Sequence, residues 1–179
     1  ILPLMPMSIL NVLAGAGIVT FLFANLLGLK QTDYKRMLGY SSVGQIGLVL
    51  FAAISAGTNQ KLALLTAGVL LLNHLGAKAG LFWIGNATGA DEDGKTSGFL
   101  CPISRVSAGA LVVSMTGLPP FPAFFAKWAL AMDLVSKGQW FFLIALFAGS
   151  LFEALYLFKW LLNNLKKERP ADVSFMQGA

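Results

Sequence analysis

Four ionisable side chains sit inside stretches that are otherwise apolar, and their types define the chemistry open to this chain. His74 and Lys78 lie four residues apart, so on a helix both project from one face. Lys127 follows the run Gly117-Leu-Pro-Pro-Phe-Pro122, and Glu153 lies in the apolar stretch near the C-terminal end. Ammonium, imidazole and carboxyl groups exchange protons. In hydrocarbon they are costly, they face the interior of a bundle, and by default they suggest an ion pathway. Each also has a structural reading. His74 and Lys78 can be a satisfied polar pair packing one helix on another, and Glu153 can be a salt-bridge partner of one of the lysines. Ser42, Gln45 and Asn73 can hold water or hydrogen-bond between helices. Lys61 and Lys159 are near helix ends, where long stems snorkel to headgroups, and are read as anchors.

The run containing Gly117, Pro119, Pro120 and Pro122 is a second signal. Three prolines in four residues remove amide donors and forbid regular helix. At membrane depth such a break must face protein or a wet cavity, and a broken helix beside a buried lysine is an arrangement transporters use for ion sites. An ordinary surface loop is the other reading.

The elements that must position these groups follow from composition. The 179 residues are 56% hydrophobic and only 12% charged, with a mean hydropathy of +0.72. Average soluble domains carry about 25% charged residues, so a polar skin is out of reach for a globule of this size. Disorder requires the opposite composition, and a single cysteine, Cys101, forms no intrachain disulfide. The solvent of this chain is lipid. The net charge of +5 is scattered over short loops without basic–aromatic clusters, so no nucleic-acid partner is expected. No phosphate-binding glycine loop, CxxC or HExxH is present, and with one His and one Cys no metal and no cofactor is expected within this chain. The acidic triplet Asp91-Glu92-Asp93 reads as a solvated turn.

A span takes roughly 20 apolar residues to cross about 30 Å of hydrocarbon. The expected fold is an all-α polytopic transmembrane bundle of about six spans, at residues 8–29, 34–56, 60–86, 102–117, 122–136 and 139–165, forming a membrane domain over 1–165. A polar tail over 166–179 follows it. Strands of alternating polarity are absent, and lipid forbids open sheet edges. Six spans put both chain ends on one face, with Lys61, Lys166, Lys167 and Arg169. The opposite face then holds Lys30, Lys35, Arg36, Lys95 and Arg105, with Lys137 near it, and the positive-inside rule does not choose between the two. The chain starts at Ile1 with no signal peptide ahead of the first apolar stretch. A processed start or a portion of a longer chain is expected.

Three ordered motifs carry a resemblance. Gln31-Thr-Asp-Tyr-Lys-Arg-Met-Leu-Gly-Tyr-Ser-Ser42 with Gln45, including Lys35, Arg36, Tyr40 and Ser41, resembles the helix-joining motif of the antiporter-like subunits of respiratory complex I. Asn73-His-Leu-Gly-Ala-Lys-Ala-Gly-Leu-Phe82 is similar to their lysine-bearing helix. Ser114-Met-Thr-Gly-Leu-Pro-Pro-Phe-Pro-Ala-Phe-Phe-Ala-Lys-Trp128 is similar to their broken helix. The first motif most resembles the quinone-side subunit 2 or N type, and Mrp antiporters and membrane-bound hydrogenases share the family. The resemblance implies one inverted five-helix repeat with a broken helix, matched by the first five of the six expected helices with the sixth following, out of the two repeats of a full member. It implies a non-redox, proton-translocating subunit of an NADH:quinone oxidoreductase of the complex I type. Lys78, His74 and Lys127 match the family's proton line, whereas Glu153 has no assigned counterpart. The implied setting is the mitochondrial inner membrane or the bacterial plasma membrane. The implied partners are other membrane-arm subunits, lipid, and a separate chain supplying the first repeat if the gene is split. A cation/proton antiporter or hydrogenase subunit, and a structural remnant without pumping, are the alternatives.

Overall fold

The computed structural model describes residues 6–57, 59–87 and 102–166, and among them there are helices and tight connections but no strand. The linker 88–98 with its acidic triplet, Cys101 and the tail beyond Lys166 lie outside the described residues. The helices are α1 (Met7–Gly28), α2 (Tyr34–Ser55), α3, α4 (Pro102–Thr116), α5 (Pro122–Ser136) and α6 (Trp140–Leu165). Helix α3 is continuous: α-helical over Gln60–Ala63, one π turn over Leu64–Gly68, and α-helical again over Val69–Ala87.

Local chemistry sets the helix ends. Asp33 caps α2, its carboxylate accepting from the amides of Lys35 at 2.7 Å and Arg36 at 3.2 Å. Asn59 caps α3 by accepting from the Leu62 amide at 3.1 Å. Helix α4 stops in a Schellman turn: Gly117 takes φ +75°, its amide donates to Ser114 O at 3.3 Å, and the Leu118 amide donates to Val113 O at 3.2 Å. Pro122 then opens α5 at a position where the missing amide costs nothing.

Four helices, α1, α2, α3 and α6, are long and apolar enough to cross a membrane. Helices α4 and α5 have 15 residues each, a rise of about 22 Å, which falls short of the roughly 30 Å hydrocarbon core. They are the two halves of one broken crossing. The core divides into two clusters stacked along the bundle; α2, α3 and α6 contribute to both, and α1 contributes to one and meets the other at its C-terminal end, where Gly28 lies against Tyr156. The buried residues of α4 (Ala108, Val112, Met115) belong to one cluster with Leu38, Leu81 and Leu157. Those of α5 (Ala126, Leu130, Leu134) belong to the other with Phe21, Phe51 and Leu70. Asn73 of α3 meets Ser114 of α4, while Lys137 just past α5 meets Ser55 at the far end of α2. The separate sixth span anticipated from apolar length is therefore the second half of α4–α5. Counted this way, the described residues make five passes.

Five passes reassign the charges. Lys30, Lys35, Arg36, Arg105 and Lys166 gather at the α4 end of the bundle, and Lys61 and Lys137 lie at the α5 end. Lys137 is paired with Asp133 at 2.6 Å.

Candidate functional site

The buried polar groups collect where the two core clusters meet, beside the break between α4 and α5. Glu153 of α6 is 0% exposed. One of its oxygens, Oε2, lies 3.5 Å from Lys127 Nζ. The other, Oε1, accepts a 3.1 Å hydrogen bond from the Ser41 hydroxyl of α2. Lys127 leaves α5 and folds back across the break, donating to Thr116 O at 3.0 Å. That carbonyl is among the unpaired acceptors at the end of α4, and the negative end of a helix dipole favours a cation there. Gly117 is required twice over. Its φ of +75° suits a residue without a Cβ, and a Cβ would stand 2.9 Å from Lys127 Cδ.

Lys78 lies on the other side of α2. Its ammonium donates to the Leu38 carbonyl and to the Ser42 hydroxyl, and the side chain is buried. Glu153 is the carboxylate within electrostatic reach of both Lys78 and Lys127. His74, one turn before Lys78, is buried within electrostatic reach of both lysines, and its Nε2 has no hydrogen-bond partner among the described residues. Asn73 and Ser114 tie α3 to α4 through two bonds, Asn73 Nδ2 to Ser114 O at 2.9 Å and Ser114 Oγ to Asn73 Oδ1 at 2.9 Å.

The residues singled out from sequence divide into two groups. Lys127, Glu153 and Ser41 are in direct contact, and Lys78 and Ser42 are in direct contact; Gln45 is buried nearby on α2. Lys35 and Arg36 are exposed at the start of α2, where Arg36 Nε lies 3.8 Å from Asp33, and half-buried Tyr40 joins neither contact group. Of the two readings of the proline run, the structure has the break at the level of the buried charges. A cavity of about 290 Å³ opens beside it, lined by Gly117, Leu118, Lys127, Trp128, Phe147 and Ser150.

Two participants escape a reading of the sequence. Tyr156 donates to Asn25 Oδ1 at 2.8 Å, across 131 residues, and Asn25 Nδ2 donates to Phe21 O at 2.9 Å. Asn25 is fully buried against Gly44, where a Cβ would come within 2.8 Å of its Nδ2. An asparagine in an apolar helix and a glycine at a helix crossing carry no pairing signal in sequence. The gathered groups (two ammoniums, a carboxyl, an imidazole and hydroxyls) can hold, share and pass protons.

A family model described as NADH:quinone oxidoreductase/Mrp antiporter, TM, matches residues 1–153. The chain is 34% identical over 170 residues to an NADH-quinone oxidoreductase subunit N of Desulforudis audaxviator, covering 92% of this chain and 33% of that protein. It is 31% identical over 165 residues to subunit N 2 of Chloroherpeton thalassium, covering 88% of this chain and 32% of that one. Among solved structures, a chain of the membrane-bound sulfane sulfur reductase, an archaeal respiratory membrane complex, superposes with a TM-score of 0.76 at 25% identity, covering 94% of this chain and 36% of the other. The present chain thus spans about a third of the length of the relatives it matches.

Proposed function

The chain belongs to the NADH:quinone oxidoreductase/Mrp antiporter transmembrane family, and from that premise we propose that it is a non-redox, proton-translocating membrane-arm subunit of a complex-I-type enzyme. It works beside other membrane-arm chains, in a mitochondrial inner membrane or bacterial plasma membrane. The observation that carries this reading is the charge count of the buried site: two lysines, Lys78 and Lys127, share one carboxylate, Glu153. In a low-dielectric interior that set is electrically balanced only when one of its protons is absent. A cluster of +1 and a cluster of zero then differ by one proton, and moving that proton between the lysines changes which of them Glu153 serves. His74, between the lysines in electrostatic terms, is a further proton carrier at the same level.

Lys127 does the central work. Its ammonium bridges α6, through Glu153, and the end of α4, through Thr116 O. Loss of its proton weakens both contacts together, so protonation is coupled to the junction between the half-helices.

The test uses the assembled complex carrying this chain in proteoliposomes. Lys127→Ala should sharply reduce protons moved per electron pair while assembly persists. Lys127→Arg should keep the charge and still impair transfer, because guanidinium holds its proton throughout. Wild-type stoichiometry in the Ala variant removes Lys127 from the pathway and puts the structural-remnant reading ahead.

A further inference from the structure

Helix α2 runs between the two lysine sites. Residues 41 and 42 are consecutive, so their side chains leave the helix about 100° apart. Ser42 turns toward α3 and accepts from Lys78, while Ser41 turns toward α6 and donates to Glu153. Ser41 and Glu153 are both 0% exposed, so neither touches bulk solvent directly. The two carboxyl oxygens of Glu153 are divided: Oε2 faces the Lys127 ammonium and Oε1 faces the Ser41 hydroxyl. A hydroxyl both donates and accepts, carries no charge of its own, and re-forms after each proton it passes. The other nearby hydroxyl, Tyr156, lies within hydrogen-bond reach of Ser41 and electrostatic reach of Glu153, but its own proton is directed away from both. It donates to Asn25 Oδ1 at 2.8 Å, and Asn25 is held by Phe21 O and wedged against Gly44.

We propose that Ser41 is the relay hydroxyl of this site, carrying protons between the Lys78 side of α2 and Glu153 Oε1. The inference rests on the proton-translocating reading given above. In the forward step the Ser41 O–H bond breaks as its proton goes to Glu153 Oε1. A new O–H bond forms at the same oxygen with a proton that left the Lys78 ammonium through Ser42, with water as the carrier between the two hydroxyls. Serine ends unchanged and Lys78 has lost one proton; the protonated carboxyl then turns about its Cγ–Cδ bond, the O–H bond just formed breaks as that proton goes to an unprotonated Lys127, and Glu153 returns to the carboxylate. Charge moves across α2 by one unit, and no electrons move.

The test compares substitutions that differ in one hydroxyl. Thr and Val have the same shape, so Ser41→Thr and Ser41→Val impose the same crowding, while Ser41→Ala imposes none. Each is placed in the assembled complex, beside Lys127→Ala, and read for complex abundance, proton flux in proteoliposomes and the infrared carbonyl band of Glu153. The relay requires that Ala and Val lower proton flux at least tenfold at unchanged abundance, that Thr retain most of it, and that the Glu153 band shift in Ala and Val but not in Thr. If Lys127→Ala stops pumping while Ser41→Ala pumps at the wild-type rate, the proton reading of the site stands and the relay is overturned. Equal losses in Thr and Val overturn it as well, because packing then explains both. Wild-type pumping in Lys127→Ala overturns the underlying reading and the relay with it.

Discussion

Replacing Glu153 with glutamine strands a lysine, and the size of the effect follows from the geometry. The pair is 3.5 Å apart and Glu153 is fully buried. At an effective dielectric constant of about 20, two unit charges at that distance attract by about 5 kcal/mol. Glutamine keeps the shape and offers its amide oxygen to Lys127, and a hydrogen bond to a charged group returns about 1.5–3 kcal/mol. The net loss is about 2–3 kcal/mol, at the lower edge of the 3–5 kcal/mol typical of a broken buried pair. Each 1.4 kcal/mol is tenfold, so the folded-to-unfolded equilibrium constant should fall roughly 30- to 150-fold. For a chain of this size the same loss lowers the melting temperature by about 4–12 °C. The assay is a heat step on purified membranes, followed by native-gel quantitation of assembled complex, for wild type, Glu153→Gln, Lys127→Met and the double variant. The double variant removes the stranded charge and should recover most of the lost stability while pumping stays absent. A Glu153→Gln complex that melts with wild type, together with additive single and double variants, would refute the pair as a stability element.

Gly17 and Gly47 let α1 and α2 cross closely, since a Cβ at Gly47 would lie 2.6 Å from Gly17 O; Gly47→Ala should cost about 1–3 kcal/mol, read as reduced complex abundance and a lower melting temperature, and wild-type behaviour would mean that the helices separate freely. Orientation is a second expectation: with Lys30, Lys35, Arg36, Arg105 and Lys166 at one end and, among the described residues, Lys61 and Lys137 at the other, the α4 end should face the cytoplasm or matrix. Cysteines introduced at Lys35 and Lys137 should react with an impermeant maleimide from opposite sides of oriented vesicles, the first from the cytoplasmic or matrix side; the reverse pattern contradicts the charge rule.

The amino-acid sequence by itself determined the solvent, the fold class and the family. A chain with 12% charged residues must bury its backbone polar groups inside helices, because lipid offers them no partner. The spacing of His74 and Lys78 placed both on one inward face, since helical periodicity is a local property. The prolines from 119 to 122 marked a break for the same reason: φ and the missing amides are written in the residue itself. What the sequence left open was every relation across distance. Apolar length counts segments one at a time, so two 15-residue helices read as two spans; their stacking on separate core clusters makes them one crossing. That change reversed the assignment of Lys137 and Lys166 to the two faces. Glu153 was legible as an expensive residue and as a salt-bridge partner for one of the lysines, but that the partner is Lys127 was not, because pairing across 26 residues and two helices depends on the rotation of α6 against α5. The division of Ser41 and Ser42 between Glu153 and Lys78 depends in the same way on which elements pack on either side of α2. Asn25 and Tyr156, 131 residues apart, become a pair only because Gly44 lets α1 and α2 close on each other beside α6. Local sterics and solvation act through neighbouring residues and can be read along the chain, whereas hydrogen bonds and ion pairs are short-ranged in space and exist only once packing has brought their partners together.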